Sequence, residues 1–93
     1  MAKIWELLDQ TYSYIGKKRY AEAQSVLDKI LYADPQNVEA WDAYIHICTT
    51  RRDLEGLKNY IARVWETRVR DEDYLQATQR FILQRVDEKM SSL

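Results

Sequence analysis

The chain has little with which to turn, cross-link or enter a membrane. Two glycines and one proline in 93 residues leave few positions for tight turns, which disfavours a fold of short strands and favours helices joined by brief connections. A single cysteine, Cys48, excludes an internal disulfide and a cysteine cluster for zinc. No uninterrupted apolar run approaches the roughly 20 residues of a membrane span, and Glu6 interrupts MAKIWELLDQ too early for the apolar core of a signal peptide. A reducing, cytoplasmic setting is therefore expected. The 14 basic residues nearly cancel the 15 acidic ones, so no global field draws the chain to nucleic acid or anionic lipid. What is present, 46% apolar residues, is enough for one modest core, and an all-α single domain over 1–93 is expected.

Apolar residues recur at helical spacing in five segments. The first, from Lys3 to about Gly16, carries Ile4, Leu7, Leu8, Thr11, Tyr14 and Ile15, and the polar connector KKRY follows. The second carries Tyr20, Ala23, Val26, Leu27, Ile30 and Leu31 and stops at ADPQN, where Asp34 is expected to cap the next helix and Pro35 to fill its first turn. A third, from about Gln36 to Thr49, presents Trp41, Tyr44, Ile45 and Cys48. Asp53 is the expected cap of a fourth, which bears Leu54, Leu57, Ile61, Val64 and Trp65. A fifth, from about Asp71 to Met90, shows Leu75, Thr78, Ile82, Val86 and Met90; Asp71, Glu72 and Asp73 load its start with negative charge, and the tail SSL should fray.

A shift of 34 residues lays the first two helices on the next two without a gap. Leu7 falls on Trp41, Thr11 on Ile45, Tyr14 on Cys48, Tyr20 on Leu54, Ala23 on Leu57, Leu27 on Ile61, Ile30 on Val64 and Leu31 on Trp65. The connectors KKRY and RRDL coincide, and a further shift sets Trp41 on Leu75 and Cys48 on Ile82. The unit is a helix pair used about two and a half times.

Tyr14, Tyr20, Ala23, Leu27, Asp34, Pro35, Asn37 and Trp41, set in this period, resemble the tetratricopeptide repeat. The resemblance implies repeat one over 4–37, repeat two over 38–71 and a C-terminal solvating helix over 72–90, stacked as a right-handed superhelical array. Gln10, Ile45 and the missing second Asp-Pro depart from the family pattern. A rival register for the first helix gives Trp5, Leu8, Tyr12 and Gly16 the family's Trp, Leu, Tyr and Gly places and makes Trp5 core. That register sets Asp9 at the tight contact between helices, where an unpaired charge is costly. In the gapless register Trp5 and Tyr12 face the groove.

In this family the first helix of each pair lines a concave groove, which here implies Trp5, Leu8, Asp9, Tyr12 and Ile15 from repeat one and Glu39, Asp42, His46 and Thr49 from repeat two. The expected function is a non-enzymatic adaptor that grips a peptide or protein segment, anchored near Trp5 and Tyr12 and oriented by Asp42 and His46. The same aromatics could instead pack against a preceding repeat or another copy, making the chain a homo-oligomerisation module, as a homodimer for example. The Lys, Asn and Arg of members that bind acidic chaperone tails are replaced by Leu8, Tyr12, Ala43, Asp73 and Ala77, so no carboxylate clamp is expected.

Catalytic constellations are missing from the sequence. His46 and Cys48, two positions apart, point to nearly opposite sides of a helix and form no dyad. The acids at 71–73 lack a glycine-bearing oxygen loop, and neither a phosphate loop nor a nucleophile elbow occurs. No enzyme, metal or cofactor is expected. Arg51, Arg52, Lys58, Arg63, Arg68 and Arg70 form a local basic excess, and ARVWETRV resembles the half-a-tetratricopeptide repeat of RNA-processing scaffolds, although the distance from Trp41 to Arg63 is too long for that pattern. Their scattered helical phases favour a solvated face over a nucleic-acid surface.

Overall fold

The computed structural model describes residues 3–69 and 73–93, and from residue 76 onward in the latter segment also the side chains. Five helices form, α1 (Ile4–Gly16), α2 (Tyr20–Ala33), α3 (Val38–Ile47), α4 (Arg51–Arg68) and α5 (Asp73–Ser92), and no strand occurs among the described residues. The expectations at Arg70, Asp71 and Glu72, and for the side chains of Asp73 and Leu75, fall outside the described residues.

Local chemistry sets the boundaries, in two places differently from expectation. Asn37, not Asp34, caps α3: its side chain accepts from the backbone N–H of Ala40 at 2.9 Å. Asp34 instead ends α2 and accepts from the Asn37 amide side chain at 3.3 Å. Pro35 therefore lies in a turn before α3, where its fixed φ costs nothing. At α4 the cap is Thr50, whose hydroxyl accepts from Asp53 N–H at 3.1 Å, and Asp53 moves into the first turn, where its charge suits the helix dipole. The connector KKRY turns through Lys18 at φ 60, a left-handed conformation costly for a residue with a Cβ. α5 runs to Ser92 rather than fraying, its last turn fastened by Ser92 Oγ donating to Lys89 O at 2.8 Å.

Backbones approach closely between α1 and α2, α2 and α3, α1 and α3, α3 and α5, and α4 and α5. α3 is thus the hub, flanked by α1 and α5, in a slab with extents of 37 × 36 × 16 Å. The apolar stripes merge into one core of Leu8, Leu27, Ile30, Leu31, Trp41, Ile45, Leu54, Leu57, Ile61, Val64, Trp65, Ile82 and Val86. Trp41 is 0% exposed. Its Nε1–H donates to Pro35 O at 2.8 Å, and its ring meets those of Tyr44, Tyr60 and Trp65 at centroid distances of 6.2, 5.5 and 6.1 Å. These four large rings join α3 to α4 through side chains, whereas α1 and α2 pack backbone to backbone.

α5 seals the far side. Ile82 and Val86 are fully buried, and Lys89 Nζ donates to Ile45 O at 2.7 Å and His46 O at 3.0 Å, satisfying carbonyls at the α3 C-terminus. Lys58 pairs with Asp87 at 2.9 Å and Arg51 donates to Met90 O at 3.3 Å. Exposed pairs contribute ~0–1 kcal/mol each, so burial of Ile82 and Val86 dominates the attachment.

Candidate functional site

α1 and α3 bring the aromatic and acidic members of the expected groove together. Trp5, Asp9 and Tyr12 share one side of α1, at the i, i+4 and i+7 positions of a helix face. Trp5 is 59% exposed and Tyr12 44%, against 0% for the core residue Trp41. Across the interface, Tyr12 Oη donates to Glu39 Oε1 at 2.7 Å, which ties α1 to the first turn of α3. Partial burial, this hydrogen bond and the charges of Glu39, Asp42 and Asp9 push the Tyr12 phenol from its usual 10.0 up to about 12. Three carboxylates, Glu39, Asp42 and Asp9, thus act on the Tyr12 hydroxyl.

The other expected residues divide. Asp42 is engaged by the Arg85 guanidinium of α5. His46 is exposed and lines, with Asp42, Ile45, Arg85, Glu88, Lys89 and Ser92, a shallow cavity of about 440 Å³ between α3 and α5. Ile15 is half-buried against the core. Leu8 must be removed from the groove. It is 7% exposed and belongs to the core, because it continues the Ile4–Thr11 stripe that α2 and α3 cover. The 34-residue register aligns it with a polar Asp42, but an isobutyl side chain at that phase is drawn out of water. Thr49 is also displaced. α3 ends at Ile47 and Cys48 takes an extended conformation (φ −80, ψ 113), so Thr49 leaves the helical phase of His46 and opens onto the opposite side of the molecule.

That opposite side holds a cleft that sequence patterning did not foresee. It has a volume of about 760 Å³, with Tyr20, Gln24 and Asp28 of α2 on one wall, Arg52, Gly56, Tyr60 and Arg63 of α4 on the other, and Tyr44, Ile47 and Cys48 as floor. Tyr60 Oη donates to Asp28 Oδ1 at 3.3 Å across it. Partial burial raises the Asp28 carboxyl, against the lowering effect of the Tyr60 and Tyr44 hydroxyls. Burial likewise raises the Tyr44 and Tyr60 phenols and the Cys48 thiol, leaving Cys48 protonated and unreactive at neutral pH. Gly56 sits mid-helix on the wall, and a Cβ there would meet nothing within 4 Å, so packing does not demand glycine. The available signal was the period itself: Tyr44 and Tyr60 stand where the first pair has Gln10 and Val26, a gain in bulk that holds α4 away from α2 and α3.

The basic residues of α4 are dispersed. Arg51 and Lys58 serve α5, and Arg68 donates to Tyr32 O with its guanidinium 4.5 Å from the Tyr32 ring centroid. Arg52 and Arg63 line the cleft. Among the described residues no group of three or more His, Cys, Asp or Glu side chains is placed to hold a metal ion, and no helix is long and apolar enough to cross a membrane. Comparison with protein families, with curated proteins and with solved structures found no match.

Proposed function

We propose that this chain is a tetratricopeptide-like, non-enzymatic interaction module that docks a protein segment on the face formed by α1 and α3. The observation that carries the reading is the exposure of both Trp5 and Tyr12 on one side of α1, with Tyr12 oriented by Glu39, in a chain whose Trp41 is wholly enclosed. A large aromatic left in water forgoes roughly 1.5–3 kcal/mol of burial, and interface hot spots are enriched in Trp and Tyr for the area they bury when a partner arrives. Asp9 and Glu39 give that surface direction, while Asp42 is committed to Arg85 and sets the edge of the face toward α5. The 34-residue period, the helix pairs and the α1–α3–α5 succession support the repeat-array part of the reading.

Affinity capture from the native extract, with wild-type chain and with a Trp5→Ala, Tyr12→Ala variant as baits, tests it. Partners bound by the wild type should be lost from the variant while its helical circular dichroism is unchanged. Equal capture by both would refute this face as the docking surface.

A further inference from the structure

Resting on the α1–α3 docking face, we infer that its occupant is a basic segment of a partner protein, seated with an arginine or lysine side chain over Trp5 and Tyr12 and between the carboxylates of Asp9 and Glu39. Three observations converge on a cation. Trp5 and Tyr12 are both exposed, and the negative quadrupole of an indole or phenol attracts a guanidinium or ammonium, indole best of all. Asp9 lies between them on the same side of α1, and among the described residues neither Asp9 nor Glu39 forms an ion pair. The Tyr12 phenol is raised first by partial burial and then by its hydrogen bond to Glu39 and the negative charges of Glu39, Asp42 and Asp9, which lie close enough to act on a group bound at this face.

The chemistry disfavours other occupants. An acidic segment would meet Asp9 and Glu39 head-on, and a second copy presenting the same face would repeat that repulsion. A purely apolar segment would leave both carboxylates desolvated without a partner. A basic segment answers both features, because the aliphatic stem of Arg or Lys covers the rings while its charged end reaches the carboxylates.

The indole N–H resonances of the intact chain report occupancy at the face, since Trp41 and Trp65 are buried and Trp5 is not; a Trp5→Phe variant identifies the Trp5 signal. Three synthetic peptides of equal length serve as probes, one alternating Arg with Gly, one with Leu in place of Arg, and one with Glu. The Arg peptide should shift the Trp5 signal, and its affinity should fall several-fold as salt is raised to about 0.5 M. The charge-neutralising variant Asp9→Asn, Glu39→Gln should weaken it about five- to tenfold with circular dichroism unchanged. A Trp5 shift with the Leu peptide and none with the Arg peptide would overturn the basic partner while leaving the docking face standing. Arg-peptide affinity unaltered in the neutralised variant would also overturn it, by placing the peptide elsewhere. A Trp5 shift that grows with protein concentration alone, without peptide, would mean that a second copy is the occupant. If no probe moves Trp5, the basic partner fails, and the extract capture with the Trp5→Ala, Tyr12→Ala bait separately decides whether the face docks anything.

Discussion

The two helix pairs share a period but not a geometry. α1 and α2 lie backbone to backbone, whereas α3 and α4 are spaced by Trp41, Tyr44, Tyr60 and Trp65. Side-chain volume accounts for the difference. At six aligned places the second pair carries the bulkier residue, Trp41 for Leu7, Tyr44 for Gln10, Ile45 for Thr11, Leu57 for Ala23, Tyr60 for Val26 and Trp65 for Leu31, while Cys48 for Tyr14, Leu54 for Tyr20 and Val64 for Ile30 run the other way. Small residues let helix axes approach, and large ones hold them apart. The wider pair opens the cleft beside α2, and on the tighter pair Trp5 and Tyr12 stay exposed. One sequence register thus produces a closed pair with an open outer face and an open pair with a closed outer face, the latter covered by α5.

Substitutions at the spacing residues should perturb this contrast most. Trp41→Ala removes the ring that joins α3 to α4 and the bond to Pro35 O, and should cost about 3–5 kcal/mol by chemical denaturation, enough to unfold much of a domain this small. Ala23→Leu gives the tight pair the residue that the wide pair holds at Leu57. With Ala23 fully buried between α1 and α2, overpacking should cost about 1–3 kcal/mol. Gly56→Ala should stabilise by about 0.5–1 kcal/mol, because a helix-interior glycine is replaced where its Cβ finds open space.

A smaller effect reads the open face. The folded Tyr12 phenol titrates near 12 instead of 10.0, so its contribution to stability is fully present below pH 10 and disappears as pH rises through about 12. Because burial also raises Tyr44 and Tyr60, the difference between spectrophotometric titrations of wild type and Glu39→Gln isolates Tyr12, and the variant should gain one earlier ionisation as that phenol moves down from about 12. An unchanged titration in the variant would remove Glu39 from the account.

Much of this was legible from spacing alone. The five helices and the stripe Leu54, Leu57, Ile61, Val64 and Trp65 follow from helical periodicity, and the exposure of Trp5 and Tyr12 fits the gapless register better than the rival one that makes Trp5 core. Caps were less legible, because Asp34 and Asn37, or Thr50 and Asp53, compete for the same role. Backbone direction then decides which oxygen reaches an orphan N–H. Leu8 was misplaced since a register borrowed from the second pair assigns it the environment of Asp42, and the hydrophobic effect overrides alignment. Thr49 was misplaced because the end of α3 at Ile47 is a local event that periodicity does not record. The cleft depends on the summed bulk of four residues from two helices, a quantity that no single motif carries.

The most direct test compares two tryptophans by equilibrium denaturation. Trp5→Ala should leave stability within about 0.5 kcal/mol of wild type, while Trp41→Ala loses several-fold more. Comparable losses in both variants would place Trp5 in the core and contradict an open α1–α3 face.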